Sequence, residues 1–319
     1  YKGKTERLFI IKTRTGRIAK VTPIHKLFKI DGNLNIIETQ SADLKVGDYL
    51  ISPRILELPE QIQSVEDFNC EVPVMNEIKG QNQSKIARIP DVIDESLAII
   101  LGLMFSDGSL KKNSLKFYNN DENLLDLFKG LAHKIFGLET IRTQMRTVQC
   151  EILNNKIVAE LLKKLGYPEY KKSQFCFVPS RILASPESVI SAFLGAYFLC
   201  DGYFHSDRGE IEITSASQKM ARDLTYLCSR IGLLARLQER IINGKTYYRV
   251  FISGRDEIEK FYDHCNIGNY EKLEKIKTYL ENEKRGYSSI DVVPISPTKI
   301  EELYNQGNRP YQELKNSGI

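Results

Sequence analysis

The chain has 319 residues, more than one small domain needs, so two or three domains are expected. Its 42% hydrophobic and 27% charged residues are typical of a folded globular protein and argue against extensive disorder. A net charge of +4 permits a nucleic-acid partner without requiring one, and the sequence contains neither a long apolar run nor a C-x-x-C pair. We therefore expect a cytoplasmic protein without membrane contact, zinc site or disulfide framework.

Residues 1–55 are predicted to form a small all-β unit. Residues 7–11 and 18–22 read as one hairpin, and residues 26–30 and 33–37 as a second around Asp31-Gly32. A unit of this size cannot bury a good core alone, so we interpret it as part of a larger domain.

Thr22 and His25 are candidate reactive groups in this unit, since a hydroxyl and an imidazole can polarise one peptide bond and protonate its nitrogen. A lone histidine on a surface hairpin usually does nothing. However, the surrounding run TRTGRIAKVTPIHKLF, followed by ADLKVGD, resembles the N-terminal splicing (Hint) region of an intein. The resemblance implies that Thr22 and His25 activate the N-terminal scissile peptide.

The intein resemblance leaves two alternatives for the ends of the chain. Inteins begin with a Cys or Ser nucleophile and end in His-Asn, whereas this sequence starts at Tyr1 and stops at Ile319. The sequence is therefore either an excerpt of a longer protein or a relic splicing domain. Residues 56–90 follow as an irregular connection, with one short strand predicted at 71–75.

Residues 91–290 contain an internal duplication with a period of about 94 residues. The two copies are LAIILGLMFSDG (97–108) and AFLGAYFLCDG (192–202), each an apolar helix that runs into Asp-Gly. A helix that is apolar all round must be buried, and Gly102 and Ala196 would let two such helices approach closely. Asp94 and Ser185-Pro186 are expected to start these helices.

Pairing the helices would bring Asp107 and Asp201 together at the helix C-termini, where the helix dipoles are already negative. One Asp-Gly is usually only a turn, but two equivalent copies after buried helices favour a shared site. Two adjacent carboxylates repel each other, and a divalent cation relieves that repulsion. Carboxylate oxygens suit Mg²⁺, which can assist phosphodiester cleavage.

The paired segments resemble the LAGLIDADG motifs of homing endonucleases, with Asp107 and Asp201 at the catalytic, metal-binding acid. The resemblance implies an α+β fold with two ααββαββα-like halves, residues 91–184 and 185–290, whose sheets form a saddle over double-stranded DNA. The strands are expected to supply cations that contact the DNA. These are Arg142, Arg146 and Lys156 in the first half and Arg236, Arg240, Lys245 and Arg249 in the second.

The same family places a lysine near each acid. By resemblance, the second-half lysine is Lys272. In the first half the family position falls on Cys176 or Phe177, with Lys172 as a nearby substitute, so loss of cleavage is an open alternative.

The tail, residues 291–319, is predicted to return toward the splicing domain. Together with residues 22–28 and 200–203 it resembles inteins of the catalytic A subunit of archaeal and vacuolar-type ATPases. The hypothesis is a monomeric, Mg²⁺-dependent, site-specific endonuclease within an intein, whose flanking exteins belong to the host ATPase. The alternatives are a DNA-binding module that has lost cleavage and an element that only splices itself.

Overall fold

The computed structural model describes residues 7–65, 87–282 and 294–306. Helices and strands both contribute, and the predicted α+β class is confirmed. The chain divides into two compact units, a β unit (Tyr1–Pro53 with Ser289–Ile319) and a repeat unit (Arg54–Ser288). None of the helices in the described ranges has the length and apolar character of a membrane span. The strand predicted at 71–75 and most of the tail lie outside the described residues.

The β unit contains two small antiparallel sheets. Its strands are β1 (Phe9–Lys12), β2 (Ile18–Val21), β3 (Lys26–Ile30), β4 (Ile36–Gln40) and β5 (Tyr49–Leu50). β1 pairs with β2, and β3 lies between β4 and β5.

The second hairpin of the β unit differs from the prediction, because β4 begins three residues later than residue 33. The Asp31 carboxylate accepts the backbone N–H groups of Asn33 at 2.9 Å and Asn35 at 2.8 Å. Leu34 adopts a φ of 68°. These side-chain bonds stabilise a longer loop in place of the tight turn expected at Asp31-Gly32.

The repeat unit consists of two halves with the same order of helices and strands. The first half contains α1 (Glu95–Asp107), β6 (Gly108–Lys111), β7 (Ser114–Asn119), α2 (Glu122–Phe136), β8 (Ile141–Met145), β9 (Val148–Asn154) and α3 (Lys156–Lys164). Two short helices follow, α4 (Lys172–Phe175) and α5 (Ser180–Ala184). The second half contains α6 (Glu187–Asp201), β10 (Gly202–His205), β11 (Glu210–Ser215), α7 (Gln218–Arg230), β12 (Ala235–Ile242), β13 (Lys245–Ser253), α8 (Arg255–Cys265) and α9 (Glu271–Glu281).

The sheets of the two halves have equivalent strand orders, β6-β7-β9-β8 and β10-β11-β13-β12. The register is also equivalent, because Gly108 pairs with Phe117 just as Gly202 pairs with Ile213. One face of each sheet is buried against helices; Phe117, for example, stacks on Phe128 of α2 at a centroid distance of 5.3 Å. The other, open face is left for contacts outside the core. The last helix of the described residues, α10 (Pro297–Gln306), belongs to the β unit.

Local signals explain where the central helices begin. The Asp94 side chain accepts the N–H of Leu97 at 2.8 Å and caps α1 as predicted. In α6, Pro186 is the N-cap itself, so the helix begins one residue later than expected. Gly137 ends α2 in the left-handed conformation with φ 67°, which glycine adopts without steric cost.

The contact between α1 and α6 forms the centre of the repeat unit, and most residues of both helices are buried. Gly102 lies directly against the second helix. A β-carbon built there would be 2.6 Å from the carbonyl oxygen of Phe193 and 2.7 Å from the β-carbon of Ala196. The backbones therefore meet at a separation that only glycine at position 102 permits.

We expect Gly102→Ala to destabilise the protein by about 1–3 kcal/mol, because the added methyl group would force the two backbones apart. The matched control is Gly130→Ala in the middle of α2, where an added β-carbon meets nothing within 4 Å. That change should stabilise the helix by up to about 1 kcal/mol. Urea unfolding of both variants measures the difference, and equal stabilities would contradict the close contact at Gly102.

Candidate catalytic centre

Asp107 and Asp201 are the last residues of α1 and α6. Burial raises the pKa of Asp107 above its usual range. Burial, and then repulsion from Asp107, raises the pKa of Asp201 to about 6. The structure thus brings the two carboxyl groups within electrostatic reach of each other, in a setting that disfavours two negative charges.

Neighbouring polar groups orient the two carboxyl groups. The Asn119 side chain on β7 donates a hydrogen bond to Asp107 Oδ2 at 3.1 Å. The side chain of Cys200 lowers the pKa of Asp107, and that of Tyr197, one helical turn earlier, lowers the pKa of Asp201; neither offsets the effect of burial. Sequence reasoning missed Asn119, although it lies twelve residues after Asp107 at the end of the strand that follows the turn.

Lys272, on α9, lies at the C-terminus of α6. Its Nζ donates to the carbonyl oxygens of Cys200 at 2.9 Å and Gly202 at 2.7 Å, the residues on either side of Asp201. Carbonyl groups at a helix C-terminus have no partner within the helix, and a cation there also opposes the negative end of the dipole.

Lys172, on α4, makes the corresponding contacts at the C-terminus of α1. Its Nζ donates to the carbonyl oxygens of Ser106 and Met104, the latter at 3.3 Å. Burial lowers the pKa of both lysines, and both interact electrostatically with the two carboxylates. That the family position falls on Cys176 or Phe177 stays a prediction. Cys176 is buried with its thiol 3.6 Å from the carbonyl oxygen of Phe105, and Lys172 is the lysine that reaches the end of α1.

The two carboxylates fit a hard divalent cation. Among the described residues, no group of three or more His, Cys, Asp or Glu side chains could hold a metal ion. Mg²⁺, however, is often held by one or two carboxylates together with water and substrate phosphates. Partly buried acids whose pKa values are raised are also the groups that a cation would stabilise most, so Asp107 and Asp201 are suited to hold it.

The predicted cations of the second half share the open face of their sheet. Side chains that are an even number of residues apart on a strand point to the same face. This holds for Arg236 and Arg240 on β12 and for Lys245 and Arg249 on β13. Val250 and Ile252 point to the opposite, buried face. Arg240 and Lys245 are exposed, whereas Arg236 and Arg249 form ion pairs with acids on β11.

The predicted cations of the first half are placed differently. Arg142 lies on the helix-facing side of the sheet, where its Nε is 2.5 Å from buried Glu151 and its Nη2 is 2.7 Å from Asp126 of α2. Its guanidinium is therefore not on the open face. The placement of Lys156 on a strand is wrong, because Asn155 caps α3 and Lys156 is its first residue. Arg146 lies exposed in the β8–β9 turn with φ 56°.

Two cations on the open face of the first sheet escaped the sequence analysis. Lys111 on β6 and Lys116 on β7 point away from the core, since Leu115 and Phe117 are fully buried on the other face. The alternation Leu115-Lys116-Phe117 is the signal that would have identified Lys116.

Thr22 and His25 lie in the turn between β2 and β3, where the His25 N–H donates to the Thr22 carbonyl at 3.0 Å. Buried Ser41, which sequence reasoning missed, donates its hydroxyl to the carbonyl oxygens of Thr22 at 2.6 Å and Pro23 at 2.9 Å. The structure therefore holds both residues in one tight turn; their part in splicing stays a prediction.

Comparisons with known proteins identify relatives of both the fold and the sequence. Residues 188–266 match the family model of a LAGLIDADG-like domain. The A subunit of the A-type ATP synthase of Pyrococcus abyssi is 40% identical over 322 residues, which cover 100% of this chain and 29% of that protein. The replication factor C small subunit of Methanocaldococcus jannaschii is 32% identical over 307 residues, 94% of this chain and 14% of that protein.

The chain thus spans less than a third of the length of these two curated relatives. Among solved structures, variants of the homing endonuclease I-DmoI align with a TM-score of 0.44 at 15% identity, over 55% of this chain and 97% of theirs.

We expect Asp201→Asn to stabilise the metal-free protein at neutral pH. A carboxyl group whose pKa is raised in the folded state favours folding at low pH, and that contribution is lost as the pH rises from about 4 to about 6. An amide at position 201 does not ionise, so the variant does not lose this contribution to stability as the pH rises. In a chelating buffer the melting temperature should therefore rise by a few degrees at pH 7, with the gain shrinking toward pH 4.

The control for this experiment is Asp207→Asn, since Asp207 lies in an exposed turn. Its melting temperature should follow the wild type at every pH. A loss of stability in Asp201→Asn that is the same at pH 4 and pH 7 would contradict the electrostatic argument.

Proposed function

We propose that this chain, which carries a LAGLIDADG-like domain and resembles an intein of an ATPase A subunit, is a site-specific homing endonuclease. It hydrolyses both strands of a long double-stranded DNA target. The observation that carries the proposal is the pairing of Asp107 and Asp201 at the ends of two apposed helices, each with a lysine bound to the adjacent carbonyl groups.

The residues of the centre have distinct parts in this reaction. Asp107 and Asp201 would hold Mg²⁺, which would supply Lewis-acid activation of water and stabilisation of the leaving oxygen. Lys172 and Lys272 keep positive charge beside the negative charge that develops on the phosphate. Because both lysines are anchored to backbone carbonyl groups, they are positioned before substrate binds.

The alternative that keeps the fold without cleavage arose because Lys172 is only near the family's first-half lysine position. The contact of Lys172 with the Ser106 carbonyl, which matches that of Lys272 with the Cys200 carbonyl, supports the proposal of cleavage. The carboxylates are also paired by the fold of a single chain, which favours a monomer as the active form.

The intein part of the proposal rests on how the matches are distributed. Nearly the whole chain aligns with short portions of two relatives whose names differ, one belonging to an ATP synthase and the other to a replication factor. A segment that inserts into unrelated host proteins gives this distribution. The exteins are accordingly the flanking parts of an ATPase A subunit, Thr22 and His25 serve the splicing reaction, and the protein acts in the cytoplasm.

Asp107→Asn and Asp201→Asn should each abolish Mg²⁺-dependent cleavage of a plasmid that carries the uninterrupted gene of the ATPase A subunit. Each change removes one of the two carboxylates that hold the cation. Binding to the same DNA, followed by fluorescence anisotropy, should persist because the open faces of the sheets are unchanged. Cleavage by either variant at the rate of the Asp207→Asn control would refute the mechanism.

Lys172→Met and Lys272→Met should each lower the cleavage rate by roughly 10²-fold, since each removes one fixed positive charge from the centre. Lys277→Met is the matched control, because Lys277 is exposed on the same helix as Lys272. Single-turnover rates with excess protein provide the measurement. A wild-type rate in Lys172→Met, alongside a slow Lys272→Met, would restore the view that the first half has no lysine.

A further inference from the structure

Arg249 is fixed by an acid on the open face of the second sheet. The Glu212 carboxylate accepts a hydrogen bond from Arg249 Nε at 2.6 Å and a second from Arg249 Nη2. Thr214 donates its hydroxyl to the same carboxylate at 3.0 Å, and His205 Nε2 lies 3.1 Å from it. Burial alone would raise the pKa of Glu212, but the bonds from Arg249, His205 and Thr214 lower it to about 2. The pair is therefore ionised at neutral pH.

A second arginine lies beside the first in a similar arrangement. Arg236 Nη2 is 3.0 Å from Glu210 Oε2. The guanidinium groups of Arg249 and Arg236 lie 4.6 Å and 5.7 Å from the centre of the Phe251 ring, which is only 6% exposed. These five residues, Arg236, Arg249, Glu210, Glu212 and Phe251, form what we call the arginine–acid cluster.

The geometry leaves one edge of Arg249 available. Glu212 occupies the side edge, formed by Nε and Nη2, whereas Nη1 makes no hydrogen bond or ion pair found among the described residues, and the side chain is 18% exposed. A terminal guanidinium edge matches the O6 and N7 acceptors of guanine in the major groove. Because its rotamer is already fixed, Arg249 loses little conformational entropy on binding.

The cluster is unsuited to sequence-independent attraction for DNA. Two arginines and two glutamates cancel in charge, and phosphate affinity depends on uncompensated cations that displace counterions. Arg240 and Lys245, nearer the hairpin tip, are exposed and take part in none of the ion pairs found among the described residues. On this sheet, the arginines that form ion pairs therefore lie apart from the exposed cations near the hairpin tip.

The first half has no such cluster. By strand register, Ile141, Cys150 and Ile152 take the places of Arg236, Arg249 and Phe251. Lys116 takes the place of Glu212. The two open faces therefore differ in chemistry although their backbones correspond.

We propose that Arg249, held by Glu212, recognises a guanine in one half of the DNA target, and that the arginine–acid cluster sets specificity there. Arg240 and Lys245 instead contribute sequence-independent affinity through phosphates. This inference rests on the proposed DNA-binding function.

The test is selection of bound sites from a random-sequence duplex library by the full chain in EDTA, so that no DNA is cut. The wild type should select a site with a strongly preferred guanine in one half. Arg249→Gln and Glu212→Gln should reduce that preference by about 5- to 100-fold while other positions stay unchanged. Arg240→Gln should keep every base preference but lower the slope of log affinity against log salt concentration by about 1.

The outcomes separate the inference from the function on which it rests. If Arg249→Gln selects the wild-type site with the same guanines, the inference is wrong and the endonuclease proposal stands. If the wild type selects no sequence at all, the proposed function fails and the inference fails with it. Melting temperatures establish that the variants are folded, and Arg249→Lys, which keeps the charge but not the forked geometry, repeats the test should Arg249→Gln unfold.

Discussion

The close contact between α1 and α6 is the constraint on which the rest of the repeat unit depends. Gly102 allows the backbone of one helix to touch the other at Phe193 and Ala196. That contact holds the two helices together along their length, so Asp107 and Asp201 at their C-termini lie within electrostatic reach of each other. It also sets the positions of β6 and β10, which begin at the residue after each aspartate. A packing requirement in the core thereby determines the geometry of the candidate catalytic centre.

The electrostatics of the centre show how a costly arrangement is made tolerable. Two partly buried acids at two helix C-termini combine like charges with unfavourable dipoles. Lys172 and Lys272 offset part of this cost by binding the last carbonyl groups of the helices, and both are themselves buried enough for their pKa values to fall. The pKa of Asp201 is nevertheless raised, so the compensation within the protein is incomplete. This remaining imbalance is what suits the site to a divalent cation.

Much of the fold could be predicted because its signals are local. The cap at Asp94, the turn at Gly137 and the repeated apolar helices are short-range patterns that survive in the structure. Two features of the candidate site depend on contacts that the local sequence does not reveal. Arg142 was predicted to contact DNA, but the strand register places it opposite Glu151, on the face that packs against the helices. Lys172 was predicted only as a nearby substitute, because sequence spacing does not reveal that α4 brings it to the end of α1. By contrast, β4 begins later than predicted because of short-range bonds. The Asp31 side chain accepts two backbone N–H groups and stabilises a longer loop in place of the tight turn.

The duplication relates the backbones of the two halves but not the chemistry of their open faces. Arg249 and Phe251 on one sheet correspond to Cys150 and Ile152 on the other. Because the backbones of the two halves correspond but the side chains on their open faces differ, the two ends of the repeat unit are not equivalent. A duplex lying across it in one orientation makes different contacts from the same duplex turned end for end, so a suitable partner sequence need not be a palindrome. A single fused chain can encode that polarity, which a pair of identical protomers cannot.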